Sequence, residues 1–173
     1  AIRQLKRFAA DEDLGDVWNY VPEKAEATGK KIAIIGAGPS GLTCGFYLSN
    51  LGHEVTVFES APAAGGWLRY GIPEYRLPKD ILDREIELMC ANGMKIEYNV
   101  QLGRDLQLEK LSIDYDAVYL AIGAQKAVPM PVKGSELAGC YLGVDFLKAH
   151  SLGNTPVLGK KVAIVGGGNT AID

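Results

Sequence analysis

A glycine-rich loop between two strand patterns constrains the fold of this chain more than any other feature. Residues 32–35 form a continuous apolar run, and the run Gly-Ala-Gly-Pro-Ser-Gly follows at once at positions 36–41. Residues 42–51 then have a helical pattern that ends at Gly52, and residues 54–59 form a second β-rich run. Continuous apolar runs are typical of parallel strands buried on both faces of a sheet. Strand, loop, helix and strand together make a βαβ unit of about 30 residues, so we predict the α/β fold class.

Each residue type in this loop suits the binding of a dinucleotide. Gly36 permits a tight turn, Gly38 lets the backbone approach a pyrophosphate, and Gly41 lets the helix pack closely on the strand. Pro39 suits the first helical turn, where its missing N–H costs nothing. Ser40 lies in the same turn, whose N–H groups and dipole attract phosphate. The pattern predicts a bound dinucleotide, and a glycine-rich turn without a ligand is the alternative.

An acidic residue narrows the choice of dinucleotide. Glu59 closes the second strand, about twenty residues beyond the loop, where a carboxylate holds ribose hydroxyls in such units. The same negative charge repels a 2′-phosphate, so the site suits FAD or NAD and disfavours NADP. We expect Glu59→Arg to weaken FAD retention and to leave the fold largely intact.

Composition argues against several other classes of function. The 173-residue chain has a net charge of −3, which argues against nucleic acid or an acidic membrane surface as its main partner. No run of about 20 apolar residues occurs, so no membrane span is predicted. Cys44, Cys90 and Cys140 form no Cys-x-x-Cys pair, so we expect neither a metal site nor a redox dithiol. Such sparse cysteines suit a reducing cytosol, and we expect a cytoplasmic protein.

A second glycine loop repeats the first. Residues 161–165 repeat the first apolar strand pattern almost residue for residue, and the run Gly-Gly-Gly-Asn-Thr-Ala follows at positions 166–171. Two such loops in one chain predict two dinucleotides. The second unit is unfinished at Asp173, so we expect a longer polypeptide. The residues that choose between NADH and NADPH are expected about twenty positions beyond the second loop.

The patterns divide the chain into three predicted parts. We interpret residues 1–29 as a helical tail plus linker, residues 30–158 as the N-terminal part of a dinucleotide-binding domain, and residues 159–173 as the beginning of another. Residues 60–77 lack periodicity and form a long loop, and such loops in compact domains are usually functional. Further predicted elements are helices at 1–10, 79–92 and 144–149, and strands at 94–100, 116–123 and 161–165.

Two further motifs favour FAD over NAD at the first loop. Glu59 is followed closely by Gly65, Gly66 and an apolar residue, which resembles the FAD-specific extension of the two-dinucleotide-binding flavoproteins. The strand pattern before Gly123 ends in small residues and is similar to a later FAD-contacting motif of those proteins. The resemblance implies that Ala121 and Gly123 pass close to the cofactor. We therefore expect a Rossmann-like FAD-binding domain of this flavoprotein class, followed by the start of a second Rossmann unit.

A more specific match is the run Tyr-Gly-Ile-Pro-Glu-Tyr-Arg-Leu-Pro-Lys at positions 70–79. It resembles the glutamate synthase small-subunit family, whose relatives include the flavin and NADPH part of dihydropyrimidine dehydrogenase and ferredoxin-linked transhydrogenases. The resemblance covers essentially the whole chain. The FAD-site residues that it implies are Gly66, Trp67, Leu68, Arg69, Gly71, Ile72, Arg76, Leu77 and Val100, with Arg76 expected to make a charge contact. The residues that it implies near the NAD(P)H pyrophosphate are Gly166, Gly168, Asn169 and Thr170.

The resemblance also implies an activity. It implies an FAD-dependent oxidoreductase that passes electrons between NADPH or NADH and [4Fe-4S] clusters, with the clusters in a domain that precedes Ala1. The implied partners are this iron–sulfur domain or subunit and a catalytic large subunit. No catalytic side chain is predicted, because the cofactors carry the hydride chemistry. The alternative is a non-catalytic FAD-binding or docking module of a larger electron-transfer complex; a monooxygenase or amine oxidase would share only the first loop.

Overall fold

The computed structural model describes residues 1–13 and 21–173, and a four-stranded parallel sheet lies at its centre. The strands are β1 (Lys31–Ile35), β2 (Glu54–Glu59), β3 (Lys95–Tyr98) and β4 (Ala117–Leu120). Their order across the sheet is β3-β2-β1-β4, and every neighbouring pair is parallel. This is the strand order of a Rossmann sheet, which reverses between β1 and β4. The predicted α/β class and Rossmann-like domain are confirmed.

Helices lie on both sides of this sheet. The helices of the described residues are α1 (Ile2–Asp13), α2 (Pro39–Asn50), α3 (Trp67–Tyr70), α4 (Lys79–Cys90), α5 (Leu108–Asp114), α6 (Gly143–Ser151) and α7 (Asn169–Ile172). The sequence pattern did not predict α5, because Leu111 is its only buried residue and leaves no apolar stripe. Among the helices of the described residues, none has the length and hydropathy that a bilayer crossing requires.

Apolar side chains pack on both faces of the sheet. Successive residues of a strand point to opposite faces, so Ile32 and Ile34 join one cluster while Ala33 and Ile35 join the other. Residues of α2 and α4 complete the first cluster, and α5 contributes to the second. This burial on both faces explains the continuous apolar run of β1.

Two strands are shorter than the sequence patterns predict. β3 ends at Tyr98 because Asn99 has a φ of 61°, a left-handed conformation that interrupts an extended strand. β4 ends at Leu120, and three residues further on the chain turns at Gly123, whose φ is 67°. The motifs themselves therefore lie just beyond the strands rather than within them.

The strand predicted at residues 161–165 is absent. These residues pair with no strand in the described part of the chain, and Val162, Ile164 and Val165 are exposed. A strand is held by hydrogen bonds to a neighbouring strand, so an apolar pattern without such a neighbour does not form one. The helix predicted after the second loop does form, since α7 begins directly after Gly168. The division into three domains stays a prediction.

The described part of the predicted linker is tied to the turns that precede β2 and β3. The N–H group of Thr28 donates to the carbonyl oxygen of Gly52 at 3.0 Å. The side chain of Asn92 donates to the carbonyl oxygen of Pro22 at 2.8 Å. These bonds attach the linker to the end of the sheet at which β2 and β3 begin, opposite the first glycine loop. Residues 14–20 of the predicted linker lie outside the described residues.

Candidate functional site

The first glycine loop lies at the carboxyl ends of β1 and β4, where the strand order reverses. Open α/β sheets bind their ligands in the crevice at this point. Gly36 has a φ of 105°, which favours glycine, and its N–H group donates to the carbonyl oxygen of Phe58 at 2.8 Å. A Cβ atom at Gly36 would overlap the carbonyl oxygen of Ala121. The structure thus brings the loop and the end of β4, both predicted site elements, into contact.

Gly41 and Gly38 differ in what surrounds them. A Cβ atom at Gly41 would overlap the carbonyl oxygen of Gly36 and lie 3.2 Å from Cγ2 of Ile34, so α2 can pack on β1 only with glycine there. A Cβ atom at Gly38 would meet no described atom closer than Cα of Gly66, at 3.8 Å. The fold requires glycine at position 41, whereas the space beside position 38 is free for a ligand.

The start of α2 supplies the polar groups that a pyrophosphate needs. Gly38 is the N-cap residue and Pro39 the first helical residue, so the N–H group of Ser40 lies in the first turn and has no helical acceptor. The hydroxyl groups of Ser40 and Tyr119 are hydrogen-bonded at 2.9 Å, which joins the loop to β4 a second time. A helix N-terminus beside an open glycine is a binding site for phosphate groups, and the residues present fit a dinucleotide.

The second glycine turn packs directly on the first loop. The N–H group of Gly65 donates to the carbonyl oxygen of Ala37 at 2.8 Å. Gly66 has a φ of 53°, and a Cβ atom there would lie 2.7 Å from Cα of Gly38. Two backbones can approach this closely only without side chains between them. The structure therefore brings Gly66 and Gly38 to the same crevice, as the motifs predict.

Glu59 is buried, with 7% of its surface exposed. Its Oε2 atom accepts the N–H of Ala37 at 2.7 Å, and its Oε1 atom accepts the N–H of Ala61 at 2.8 Å and the hydroxyl of Ser60 at 3.2 Å. These bonds satisfy a buried carboxylate and tie the loop to the segment after β2. An arginine here would face N–H donors, so the expectation that Glu59→Arg leaves the fold largely intact is corrected.

Residues of α3 cover the second glycine turn. Leu68 packs against the first hydrophobic cluster. Arg69 donates to the carbonyl oxygen of Ala64 and forms an ion pair with Asp83. The indole ring of Trp67 lies over Gly71, where a Cβ atom would overlap the ring. The guanidinium group of Arg69 is therefore paired with a carboxylate of the protein. Its contact with FAD stays a prediction.

Lys79 holds this loop together, although it is not among the site residues predicted from the sequence. Its Nζ atom donates to the carbonyl oxygens of Leu68, Ile72 and Leu77 at 3.0, 2.7 and 3.0 Å. Burial lowers the pKa of the Lys79 ammonium group. A lysine at the first position of a helix opposes the helix dipole, and this conflict was the available signal. Three predicted FAD-site residues are therefore held by one cation.

We expect Lys79→Met to loosen the loop between α3 and α4. The methionine side chain fills similar space but donates no hydrogen bond, so three carbonyl oxygens lose their donor. The free energy of unfolding should fall by about 2 kcal/mol, measured by urea denaturation. Lys126→Met, at an exposed position, is the matched control and should change stability little. Equal effects of the two substitutions would contradict the assigned role.

The segment that follows the second glycine loop contacts the loop between α3 and α4. Gly166 has a φ of 123°, Gly168 is the N-cap of α7, and Asn169 and Thr170 are in its first turn. After α7, Asp173 pairs with Arg76, a residue that we expected to contact FAD. The structure therefore places the charge of Arg76 against the second loop, and a contact with FAD stays a prediction.

The remaining predicted residues lie at the ends of the outer strands. The N–H group of Val100 donates to the carbonyl oxygen of Glu59 at 2.9 Å. Gly123 follows β4 with a φ of 67°, and Gln125 Nε2 would lie 3.2 Å from a Cβ atom there. Within the described ranges, no group of three or more His, Cys, Asp or Glu side chains is placed to hold a metal ion.

A protein-family model described as pyridine nucleotide-disulphide oxidoreductase matches residues 30–173. The chain belongs to this family. The match includes both glycine loops and confirms the predicted membership of an oxidoreductase family.

Two curated relatives in this family are similar along the whole chain. The NADP(+)-dependent formate dehydrogenase subunit beta of Moorella thermoacetica is 43% identical over an alignment of 197 residues, gaps included. The alignment covers 100% of this chain and 28% of that protein. The glutamate synthase [NADPH] small chain of Escherichia coli is 35% identical over 183 residues, which cover 99% and 39%. The predicted resemblance to glutamate synthase small subunits is confirmed. The chain spans well under half the length of either relative.

A solved structure supports the same assignment. Mycobacterium tuberculosis FprA in complex with NADPH superposes with a TM-score of 0.64 at 28% sequence identity. The superposition covers 70% of this chain and 28% of FprA. The fold predicted from the glycine loops is therefore found in a pyridine-nucleotide-binding protein of known structure.

Proposed function

We propose that this chain forms the FAD-binding part, and the start of the NAD(P)H-binding part, of a flavin oxidoreductase of the glutamate synthase small-chain type. The observation that carries the proposal is the crevice in which Gly38 and Gly66 face each other at the switch point of the sheet. Its walls are backbone and its floor is a helix N-terminus, which suits the pyrophosphate of a long cofactor.

The residues that hold the cofactors form two groups in this proposal. The FAD group consists of Gly36, Gly38, Pro39, Ser40, Gly41, Glu59, Gly66, Trp67, Leu68, Arg69, Gly71, Ile72, Arg76, Leu77, Val100, Ala121 and Gly123. The NAD(P)H group consists of Gly166, Gly168, Asn169 and Thr170. Glu59 keeps the first loop in shape through Ala37, and its charge would favour ribose hydroxyls over a 2′-phosphate. No side chain acts as acid or base, because alignment of the cofactors is what hydride transfer needs.

The chemistry comes from the cofactor. When bound, FAD would supply the redox chemistry, which is to take a hydride (two electrons and one proton) from the reduced nicotinamide and to release the electrons one at a time. NADPH is the proposed donor, because both relatives described above are named for NADP(+) or NADPH. The proposed acceptors are [4Fe-4S] clusters in a preceding domain or partner subunit, and the proposed final partner is a catalytic large subunit. A cytoplasmic location is part of this proposal and agrees with three free cysteines.

An absorbance spectrum and a single substitution test the FAD proposal. The purified full-length protein should show flavin bands, or acquire them after incubation with FAD, and anaerobic NADPH should bleach them. Gly38→Ala places a methyl group in the open space beside the helix N-terminus, at a backbone conformation that alanine adopts readily (φ −81°, ψ −178°). We expect at least a tenfold loss of FAD affinity with almost unchanged thermal stability of the FAD-free protein.

Gly159→Ala is the matched control for this experiment. Among the described residues, a Cβ there would approach only the carbonyl oxygen of Lys161, at 4.0 Å, so FAD affinity should not change. Absence of flavin bands after incubation with FAD would contradict the proposal. Reduction by NADH but not by NADPH would correct only the choice of donor.

The alternative is a binding module that holds FAD or a partner and catalyses nothing. Ile2, Leu5 and Phe8 on α1 favour it, since they are spaced along one stripe of the helix and are exposed. Flavin that is bound by the full-length protein but is bleached by neither NADPH nor NADH would favour this alternative.

A further inference from the structure

The carboxylate of Asp173 is buried although it follows the second glycine loop, where most side chains are exposed. Only 7% of its side chain is accessible, against 36% for Arg76, its ion-pair partner. The Nε atom of Arg76 lies 2.5 Å from Oδ1 of Asp173, and the hydroxyl of Tyr75 donates to the same oxygen at 3.3 Å. A buried carboxylate is retained only with such partners.

Both partners come from a segment that is itself held firmly. Tyr75 and Arg76 lie between α3 and α4, in the loop whose carbonyl oxygens bind the ammonium group of Lys79. The side chain of Glu74 accepts the N–H of Lys79 at 2.9 Å and closes this loop on α4. Asp173 is therefore anchored to the loop that follows α3, the helix that covers the second glycine turn.

A second set of contacts links α7 to α3 through α6. Thr170 packs on the start of α6, where a Cβ atom at Gly143 would lie 2.8 Å from its Cγ2 atom. At the other end of α6, the hydroxyl of Ser151 donates to the carbonyl oxygen of Tyr70, in α3, at 3.2 Å. No strand precedes the second glycine loop in the described residues. Two sets of contacts hold it instead, the ion pair of Asp173 with Arg76 and the packing of α7 on α6.

We propose that Arg76 and Tyr75 are positioning residues, which hold Asp173 and thereby fix the second glycine loop relative to the FAD crevice. This inference rests on the proposed function, because two cofactors that exchange a hydride must be aligned. It gives Arg76 a different task from the one its motif suggests. The guanidinium group acts between the two nucleotide loops, and its effect on the reaction passes through Asp173.

Hydrogen exchange of the FAD-free, full-length protein tests the coupling without relying on activity. Arg76→Gln should accelerate amide exchange in residues 166–172 by about tenfold or more, and Asp173→Asn should do the same in residues 73–77, since each side is held by the other. Arg76→Lys keeps the charge and should restore part of the protection. Arg7→Gln, which breaks the exposed pair with Asp11, is the matched control and should change neither region.

Anaerobic stopped-flow reduction of the FAD-loaded protein by NADPH is the second measurement. Asp173→Asn should retain FAD and slow the reduction rate at saturating NADPH about tenfold. The double variant Arg76→Gln/Asp173→Asn should be no slower than the slower single variant, because both remove one interaction. Effects that multiply in the double variant, or unchanged exchange in residues 166–172 of Arg76→Gln, would overturn the inference. A wild-type protein that binds no FAD contradicts the proposed function instead, and leaves the exchange result to decide the contact.

Discussion

Alanine at Gly36 is expected to remove most of the stability of this protein together with its flavin. The new Cβ atom would overlap the carbonyl oxygen of Ala121, and the φ of 105° is strained for any residue with a side chain. Overlap with backbone cannot be relieved by a rotamer change, so β1 and β4 must separate. We expect a loss of about 4 kcal/mol or more in the free energy of unfolding. Chemical denaturation and the flavin content of the purified protein measure the two effects.

Gly103→Ala separates backbone strain from overlap. Gly103 has a φ of 84°, close to that of Gly36, but no atom of the described chain lies within 4 Å of a Cβ there. Its substitution should cost about 1 kcal/mol and leave flavin content unchanged. A Gly36→Ala variant as stable as Gly103→Ala would show that the contact between the loop and Ala121 does not hold the switch point together.

Glu59→Gln is expected to lower both stability and flavin retention, although the change is isosteric. The amide group can accept hydrogen bonds at only one of its two ends, whereas the carboxylate accepts from Ala37 at one oxygen and from Ala61 at the other. One buried N–H group is left facing another donor, which costs about 1–3 kcal/mol. The distorted loop and the lost charge should lower FAD affinity at least tenfold. Urea denaturation without FAD and fluorescence titration with FAD separate the two losses.

Glu54→Gln is the control for Glu59→Gln because it removes the same charge from the other end of β2. Glu54 is exposed, so its substitution should leave both quantities almost unchanged. If Glu59→Gln lowers FAD affinity but not the stability of the FAD-free protein, the bonds from Glu59 to the loop contribute little, and its part in the site is with the ribose alone.

The first glycine loop and the strands beside it could be predicted from the sequence, because their conformation depends on residues that are close together in the chain. The role of each glycine, Gly36, Gly38 and Gly41, follows from its position in the loop. The continuous apolar runs predict strands that are buried on both faces of the sheet. The loop between α3 and α4 was harder to predict, because its conformation depends on the ammonium group of Lys79, which binds three of its carbonyl oxygens. The only signal of Lys79 in the sequence is its place at the start of a predicted helix, and its three carbonyl partners are visible only in the structure.

The charges of the site were the least predictable part. Arg69 and Arg76 were expected to face FAD because they lie in the right motif, but the fold gives both an acidic partner, Asp83 and Asp173. Long flexible side chains reach partners that no spacing rule relates to them. The strand expected at 161–165 was wrong for a related reason, since strand pairing is a property of two segments and a single pattern supplies only one.

By itself, the sequence determined the α/β class, the dinucleotide loop and the family, since these rest on glycine positions and apolar runs that act over a few residues. The tertiary structure decided what surrounds the loop: that Gly38 faces open space while Gly36 and Gly41 face backbone, and that Glu59 is a buried tether. It also decided that Asp173, which follows the second loop, pairs with Arg76 between α3 and α4. These features depend on contacts between segments far apart in the chain, which short-range patterns do not contain.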